Sequence, residues 1–396
     1  MILVCEMIFD RGAHIPFNAG LLATIRAAFP KDDMAFHGGE AHIEQLKKQV
    51  GQALANSIGW KDILPVQPGP TYGKRFIREL SAIRHLFREI PQGTTSRLIL
   101  TSAFPSTVLA MKVARLFQSK IPKVQMVLHG VSGVMGKRRR RPILRLQDMK
   151  TALSLLGNKD IQYLVLEEFI RDTVLKNFPQ LHGSIEAFQH PISPVEGAAE
   201  IIDLSEPIRF GLLGTALKSK GYPLFVEAAN AITVKYGRRA EFHVIGRCPE
   251  ESKGVKGTEA LATQPAASQL TREDFVRGVQ PLHFVVLPYE RAPYTLSASG
   301  VLLDAIAWQK PIIARRMPMF EAMFERHGDI GYLFDDNSEL SGILQQILEA
   351  PDGSRYRRQA LTLRDVRKSR DPETLAAVYR ELCTKSEGRL LETLSY

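Results

Sequence analysis

A chain of 396 residues is longer than one compact core usually grows, so two domains of nearly equal size are expected. Its 44% apolar and 24% charged residues are ordinary for a globular protein, and no apolar run approaches the roughly 20 residues that span a bilayer. A net charge of +10 favours anionic partners (nucleotides, nucleic acid or an anionic lipid surface) without choosing among them.

The chain opens with Met1-Ile-Leu-Val-Cys-Glu, which lacks a basic leader and reads as a first strand rather than a signal peptide. Strand-like Ile2 to Phe9 leads to a helix from about Pro16 to Ala28. The strand Met34 to His37 precedes a polar amphipathic helix through Ala41 to Asn56. Ile63 to Val66 is expected as a strand before the helix Lys74 to Glu89, and Arg97 to Thr101 as one before the helix Ser106 to Phe117. Val124 to His129 is a strand running into Gly130, and Tyr163 to Leu166 one that feeds a helix ending at Phe178. Strands alternating with helices at this spacing imply parallel pairing and a doubly wound α/β sheet.

Around Pro191, Pro194 and Gly197 the periodicity stops, as in a hinge. A second alternating series begins at Ile208 to Gly214. It continues with helix Pro223 to Tyr236, strands Glu241 to Ile245 and Phe284 to Leu287, helix Gly300 to Trp308 and strand Pro311 to Ala314. Helices near Glu339 to Leu348, Tyr356 to Lys368 and Pro372 to Lys385 complete the chain. Ligands in such sheets bind beyond the carboxyl ends of the strands, so the loops there hold the candidate residues.

The apolar run Phe284-Val-Val-Leu suits a strand covered on both faces, and Ser297, Ala298, Ser299 and Gly300 then let backbone approach a ligand. The helix that follows offers free amides and the positive end of its dipole, a seat for phosphate. Asp304, about one turn on, can accept hydrogen bonds from sugar or ribose hydroxyls, or can simply complement the dipole. Gly211-Leu-Leu-Gly214, then Thr215 to Pro223, forms a second loop with Lys218 and Lys220. A lysine held there would neutralise charge growing on a leaving diphosphate; otherwise the pair is a solvated surface turn.

In the first half, Asp10-Arg-Gly-Ala-His14 follows the first strand. Gly12 allows close approach, and His14 is a candidate base or acceptor contact, with a buried structural imidazole as the alternative. His129 ends an apolar strand, and Glu167 and Glu168 follow the next. The basic run Lys137, Arg138, Arg139, Arg140 and Arg141 precedes an amphipathic stretch, Ile143 to Met149. It fits an anionic membrane or a lipid-linked acceptor, at about 1 kcal/mol per charge, or a solvated loop. The absence of nearby aromatic residues weighs against nucleic acid. Cys5, Cys248 and Cys383 form neither a disulfide framework nor a metal cluster, and a reducing, cytoplasmic setting fits them. No metal-binding, P-loop or nucleophile-elbow motif occurs.

Gly214 to Gly221, Val244-Ile-Gly246, Leu303-Asp-Ala-Ile-Ala with Lys310-Pro-Ile-Ile-Ala, and Gly331-Tyr-Leu-Phe-Asp with Glu339-Leu together resemble the C-terminal domain of GT-B glycosyltransferases. The likeness is to the retaining, family 4-like, nucleotide-sugar-dependent members. It implies two Rossmann-like doubly wound domains facing a central cleft. Residues 1–195 would bind the acceptor, 196–371 would bind the nucleotide sugar, and a helix in 372–396 would cross back to the first domain. Lys220 matches the family lysine on the donor diphosphate, whereas Thr215 stands at the family arginine. Asp304 matches the second family glutamate, whereas Leu296 stands at the first. Ser297 and Ser299 are then expected as sugar or phosphate contacts, and His129 as the histidine near the transferred sugar.

The resemblance implies sugar transfer to a saccharide or lipid-linked saccharide acceptor in cell-surface polysaccharide synthesis. The protein would be cytoplasmic, peripheral on the membrane's inner face, and would need no metal or other cofactor. Alternatives are an inactive GT-B nucleotide-binding or assembly protein, for which Thr215 and Leu296 speak, and inverting transfer or epimerisation.

Overall fold

A computed structural model describes the chain except residues 11, 13, 67–70, 91–95, 119–121, 130–144, 159, 195–198, 291–298 and 394–396. The described residues form two compact units. One holds the chain up to residue 194 and again from Arg370 onward; the other holds 199 to 369.

The first unit is built on seven parallel strands in the order β3-β2-β1-β4-β5-β6-β7. They are β1 (Ile2–Cys5), β2 (Met34–Gly38), β3 (Gly59–Asp62), β4 (Arg97–Leu100), β5 (Lys123–Leu128), β6 (Ile161–Val165) and β7 (Ile185–Ala187). Between them run α1 (Ile15–Ala28), α2 (Glu40–Val50), α3 (Gln52–Asn56), α4 (Tyr72–Glu89), α5 (Pro105–Leu116), α6 (Met149–Ser154) and α7 (Glu168–Asn177). Apolar side chains on both faces of the central strands pack into two clusters, as parallel sheets require. The strand order reverses between β1 and β4, so the loops after these two strands flank a switch point.

The C-terminal helix α14 (Pro372–Thr393) covers one face of this sheet. Gln125 and Gln162 would be costly there if left unpaired. Tyr379 donates its hydroxyl hydrogen to Gln125 Oε1, and Gln162 Nε2 donates to the Leu382 carbonyl at 3.2 Å. At the foot of the helix the buried Arg370 grips Glu167 with both arms, at 2.7 and 3.2 Å.

The second unit has five parallel strands in the order β12-β11-β10-β8-β9. They are β8 (Ile208–Leu213), β9 (Ala240–Ile245), β10 (Phe284–Leu287), β11 (Ile312–Arg315) and β12 (Gly331–Phe334). Its helices are α8 (Tyr222–Tyr236), α9 (Arg272–Val279), α10 (Gly300–Ala307), α11 (Pro318–His327), α12 (Asn337–Glu349) and α13 (Gly353–Ser369). Phe210 stacks between Phe242 and Phe284, with centroids 5.3 and 5.7 Å away, at the middle of its core. Here the order reverses between β8 and β10.

Some expected boundaries move. The strand expected at Ile63 to Val66 is instead an irregular connection, while the neighbouring Gly59–Asp62 pairs with β2. Single backbone bonds still hold it, from Ile63 to Gly38 and from Val66 to Met7, so its apolar residues pack without a ladder. The helix expected over Ala41 to Asn56 breaks at Gly51, whose φ of 79° starts a second short helix. Strands β7 and β12 and helices α9 and α11 add to the elements expected from the sequence. No helix among the described residues is long and apolar enough to cross a membrane.

Candidate functional site

In the second unit, the loop after β8 turns at Gly214 (φ 80°), whose amide bonds the Ile245 carbonyl at 2.9 Å. A methyl group at Gly246 would lie 1.7 Å from the Gly214 carbonyl oxygen, so the loops after β8 and β9 touch through bare backbone. One turn of 3-10 helix carries Lys218 to Lys220 and ends at Gly221, at φ 76°. A Cβ at Gly221 would stand 2.0 Å from the Pro288 carbonyl, which fixes this turn beside the end of β10. The Glu290 amide donates to the Ser219 carbonyl at 2.9 Å across the same junction.

Lys220 and Asp304 meet here. A methyl added to Gly214 would come within 3.3 Å of both Lys220 Nζ and Val301 in the first turn of α10, which places the ammonium at that helix start. Burial pulls the Lys220 pKa down while Asp304 opposes the shift. Burial raises the Asp304 carboxyl, with Arg272 and Lys220 pulling the other way. Arg272 Nη1 donates to Asp304 Oδ1 at 3.3 Å. Ser299 caps α10 by accepting from the Leu302 amide at 3.2 Å, and its hydroxyl pairs with Tyr289 at 3.1 Å. Two cations therefore share one carboxylate beside a helix start. This leaves a net positive charge in a partly desolvated place, which suits a diphosphate.

Among the other candidates of this unit, Thr215 is half-buried, Lys218 is exposed, and Gly300 faces open space. Ser297 and Leu296 lie outside the described residues. Arg272 escapes a reading of the sequence, because it comes from α9, which precedes β10 in the chain.

In the first unit, Glu6 just beyond β1 is fully buried. One carboxylate oxygen accepts from the Ile8 and Phe9 amides at 3.0 and 3.2 Å; the other accepts from Thr101 and Ser102 hydroxyls at 3.0 and 2.5 Å. Burial alone would raise this carboxyl, but His14, Ser102 and the Ile8 amide outweigh it, and its pKa lies below the ordinary value. His14 Nδ1 is 2.8 Å from Ser102 Oγ and 3.6 Å from Glu6 Oε2. The His14 ring stacks on that of His129, centroids 3.9 Å apart, and His129 Nε2 donates to the Thr101 carbonyl at 2.8 Å. Burial first, then the neighbouring His14 and His190, keep His129 well below the usual histidine value.

His14, Ser102 and His129 border a cavity of about 350 Å³ at the switch point, walled also by Phe9, Phe104 and Met149. The sequence points to His14 and His129 but not to their stacking, nor to Glu6 and Ser102, whose carboxylate and hydroxyl meet only in the fold. Gly12 is exposed, with φ 57°. Arg138, Arg139, Arg140 and Arg141 lie outside the described residues. Glu167 belongs to the Arg370 ion pair that anchors the C-terminal helix. Among the described residues, no group of three or more His, Cys, Asp or Glu side chains is placed to hold a metal ion.

No family model matches the sequence, and no curated protein matches it either. Solved structures resemble it over nearly its whole length. The trehalose-6-phosphate protein from E. coli bound with UDP-2-fluoro glucose is 12% identical, with a TM-score of 0.66 over 98% of this chain and 99% of that one. A glycosyltransferase from Rickettsia africae is 12% identical at 0.64, over 98% and 97% of the two chains. TarM is 13% identical at 0.56, over 79% of this chain and 58% of its own. At such identities the likeness speaks for the fold. Two parallel sheets, each with a switch-point loop, and a C-terminal helix on the first sheet make this a GT-B fold, the architecture of nucleotide-sugar-dependent glycosyltransferases.

Proposed function

We propose that this protein is a glycosyltransferase that takes a sugar from a nucleoside diphosphate donor and passes it to a saccharide or lipid-linked saccharide. The observation that carries this reading is the gathering of Lys220, Arg272 and Asp304 around the start of α10. Lys220 would neutralise the departing diphosphate, aided by the amides at Ser299 and Gly300, and Asp304 would orient ribose hydroxyls. With Lys220 in that role, no resident metal is needed. The second unit is then the donor side, and the first unit, with His14 and His129, the acceptor side.

Retention at the anomeric carbon is the stereochemistry we favour. A structural neighbour described as an enzyme of glycosyl transfer with retention, trehalose-6-phosphate synthase, has a TM-score of 0.63 over 98% of this chain at 11% identity. Another, TarM, is complexed with UDP and alpha-GlcNAc-glycerol. A cytoplasmic protein resting on an anionic membrane through Arg138 to Arg141, and acting in polysaccharide synthesis, is the setting we propose.

Incubation with a panel of UDP- and GDP-sugars tests the activity, with NMR of the released or transferred sugar reading its anomeric configuration. Slow hydrolysis of one donor is expected. A second reading, a nucleotide-binding assembly protein without turnover, draws on Thr215 and Leu296 at the family's arginine and glutamate positions. Nucleotide binding with no turnover of any donor would favour it. An inverted product would sink the retaining assignment alone.

A further inference from the structure

Helix α4 carries its cations on one side. At roughly 3.6 residues per turn, Lys74, Ile77, Arg78, Ser81, Arg84 and Arg88 fall within an arc of about 120°, and all six are exposed. The opposite side buries Ile83, Leu86 and Phe87 in the core of the first unit. The two carboxylates of α4 lie outside the stripe. Glu79 is buried and accepts from Arg75 Nε at 3.1 Å and Thr107 Oγ1 at 2.9 Å. Glu89, the last residue, is engaged by Lys61 and by His85 Nε2 at 2.7 Å. The stripe therefore sets four cations, with no anion among them, along a helix of 18 residues, about 27 Å long.

Apolar side chains stand within and beside it. Ile77 is 65% exposed, and Leu116 and Phe117, at the end of neighbouring α5, are 63% and 71% exposed. The Arg84 guanidinium lies 5.4 Å from the Phe117 ring centroid, so the basic stripe and the apolar tip form one surface. Lys112 Nζ donates to the Leu155 carbonyl at 2.7 Å and ties the next connection to α5, where Leu155 and Leu156 are exposed as well. Grouped exposed apolar side chains of this size mark a surface that meets a partner.

Composition chooses the partner. A nucleic-acid backbone would use the cations but offers Ile77 and Leu116 nothing to contact. A protein interface gathers apolar side chains at a core and sets charge at the rim, whereas here Ile77 stands between Lys74 and Arg78, and Arg84 covers Phe117. An anionic bilayer uses both kinds: lysine and arginine meet the headgroups while leucine and phenylalanine enter the acyl boundary.

We propose that the exposed side of α4, together with the Leu116–Phe117 tip of α5, is a docking face for an anionic lipid bilayer. The helix lies along the headgroups with its inner side still packed in the core, and Phe117 and Leu116 enter the acyl boundary. Arg75, next to Lys74, lies 4.2 Å over the ring of Phe104 on the cavity wall, so the cavity adjoins one end of the face. The face deepens the membrane setting proposed above and rests on it, but it depends neither on Arg138 to Arg141 nor on the donor site.

The test is flotation of the full-length protein with vesicles of phosphatidylcholine alone, and of phosphatidylcholine with one-third phosphatidylglycerol. The protein should float with the anionic vesicles only, and added salt should release it. Arg84→Glu with Arg88→Glu should weaken binding by about tenfold or more. Leu116→Ser with Phe117→Ser should weaken it about tenfold while leaving the salt dependence unchanged. All four positions are exposed, so melting temperatures should match that of the parent. Phe117→Trp should shift its emission to the blue on anionic vesicles and be quenched by brominated acyl chains. Arg357→Glu with Arg364→Glu, on exposed positions of the second unit, should weaken binding far less. Equal loss in that variant would reduce the face to net charge and overturn it. Binding that survives the α4 reversal but vanishes when Arg138 to Arg141 become alanine would overturn this face and leave the membrane setting standing. No binding even by the parent would remove both. Preference for a single-stranded oligonucleotide over vesicles, or a dimer dissolved by Phe117→Ser, would overturn the face in favour of nucleic acid or a second copy.

Discussion

The imidazoles of His14 and His129 lie ring on ring, their centroids 3.9 Å apart and their planes 22° from parallel. A proton on one would repel a proton on the other, and burial already disfavours charge on His129. Behind them His190, packed edge-on against Phe17, is pushed by burial down to about 3, with Pro191's carbonyl opposing and Arg370 and His14 adding to the shift. Folded His129 and His190 therefore stay neutral where the unfolded chain, titrating near 6.5, takes up protons. The unfolded state binds more protons, so stability falls as pH drops below about 6.5, by about 1.4 kcal/mol per pH unit for each histidine. For His190 the loss continues to about pH 3. Urea unfolding at pH 7.5 and 5.0 should show it, and His190→Asn should flatten the dependence by about one proton. An unchanged slope would mean that His190 is protonated in the folded protein.

Lys220→Met is expected to weaken UDP binding roughly tenfold to a hundredfold, since hydrogen bonds to charged groups contribute about 1.5–3 kcal/mol. The same change should not lower thermal stability, because it removes a cation held in a desolvated place. Calorimetric titration and a melting curve check both halves. A melt lowered together with the affinity would reassign Lys220 to a structural role.

Arg272→Ala should act through Asp304. Without its 3.3 Å partner, the carboxyl that burial already raises climbs further. UDP binding should weaken by a smaller factor than in Lys220→Met and become more sensitive to acid, because Asp304 protonates at a higher pH. Titrations across pH 5 to 8 measure this; a uniform loss at every pH would place Arg272 on the ligand instead.

Gly221→Ala faces two penalties. Its left-handed φ of 76° disfavours any side chain, and the new methyl would meet the Pro288 carbonyl at 2.0 Å. Together these cost about 2–5 kcal/mol. Gly300→Ala, where nothing lies within 4 Å, should be nearly silent in stability. Comparing the two by denaturation separates a packed turn from an open one.

How much of the fold and site is legible in the sequence depends on where the information lies along the chain. Central strands such as Phe284–Leu287 announce themselves because both faces are buried, and a short unbroken apolar run between turn residues suits a covered strand. Edge strand Gly59–Asp62 is mostly exposed and polar, so its neighbour Ile63 to Val66, apolar but merely packed, resembles a strand more closely. Lys220 and Asp304 can be paired beforehand because each sits in the loop or first turns beyond its own strand, at the place where parallel sheets bind ligands. Glu6 looks like an ordinary residue at a strand end. Its role depends on hydroxyls some 95 residues away, and nothing local signals that meeting. Arg272 is hidden for the same reason.

The grip of Arg370 on Glu167, followed by Tyr379 on Gln125, has a consequence for how the molecule can be divided. The first sheet is completed by the last stretch of the polypeptide, so a fragment ending at residue 194 would expose Phe29, Phe188 and two glutamines to water. Such a fragment should precipitate or stay loosely ordered by itself, and should become soluble when a synthetic peptide covering 370–393 is supplied separately. Residues up to 194 and those from Arg370 onward thus depend on each other within one compact unit, although 199 to 369 fold into the other.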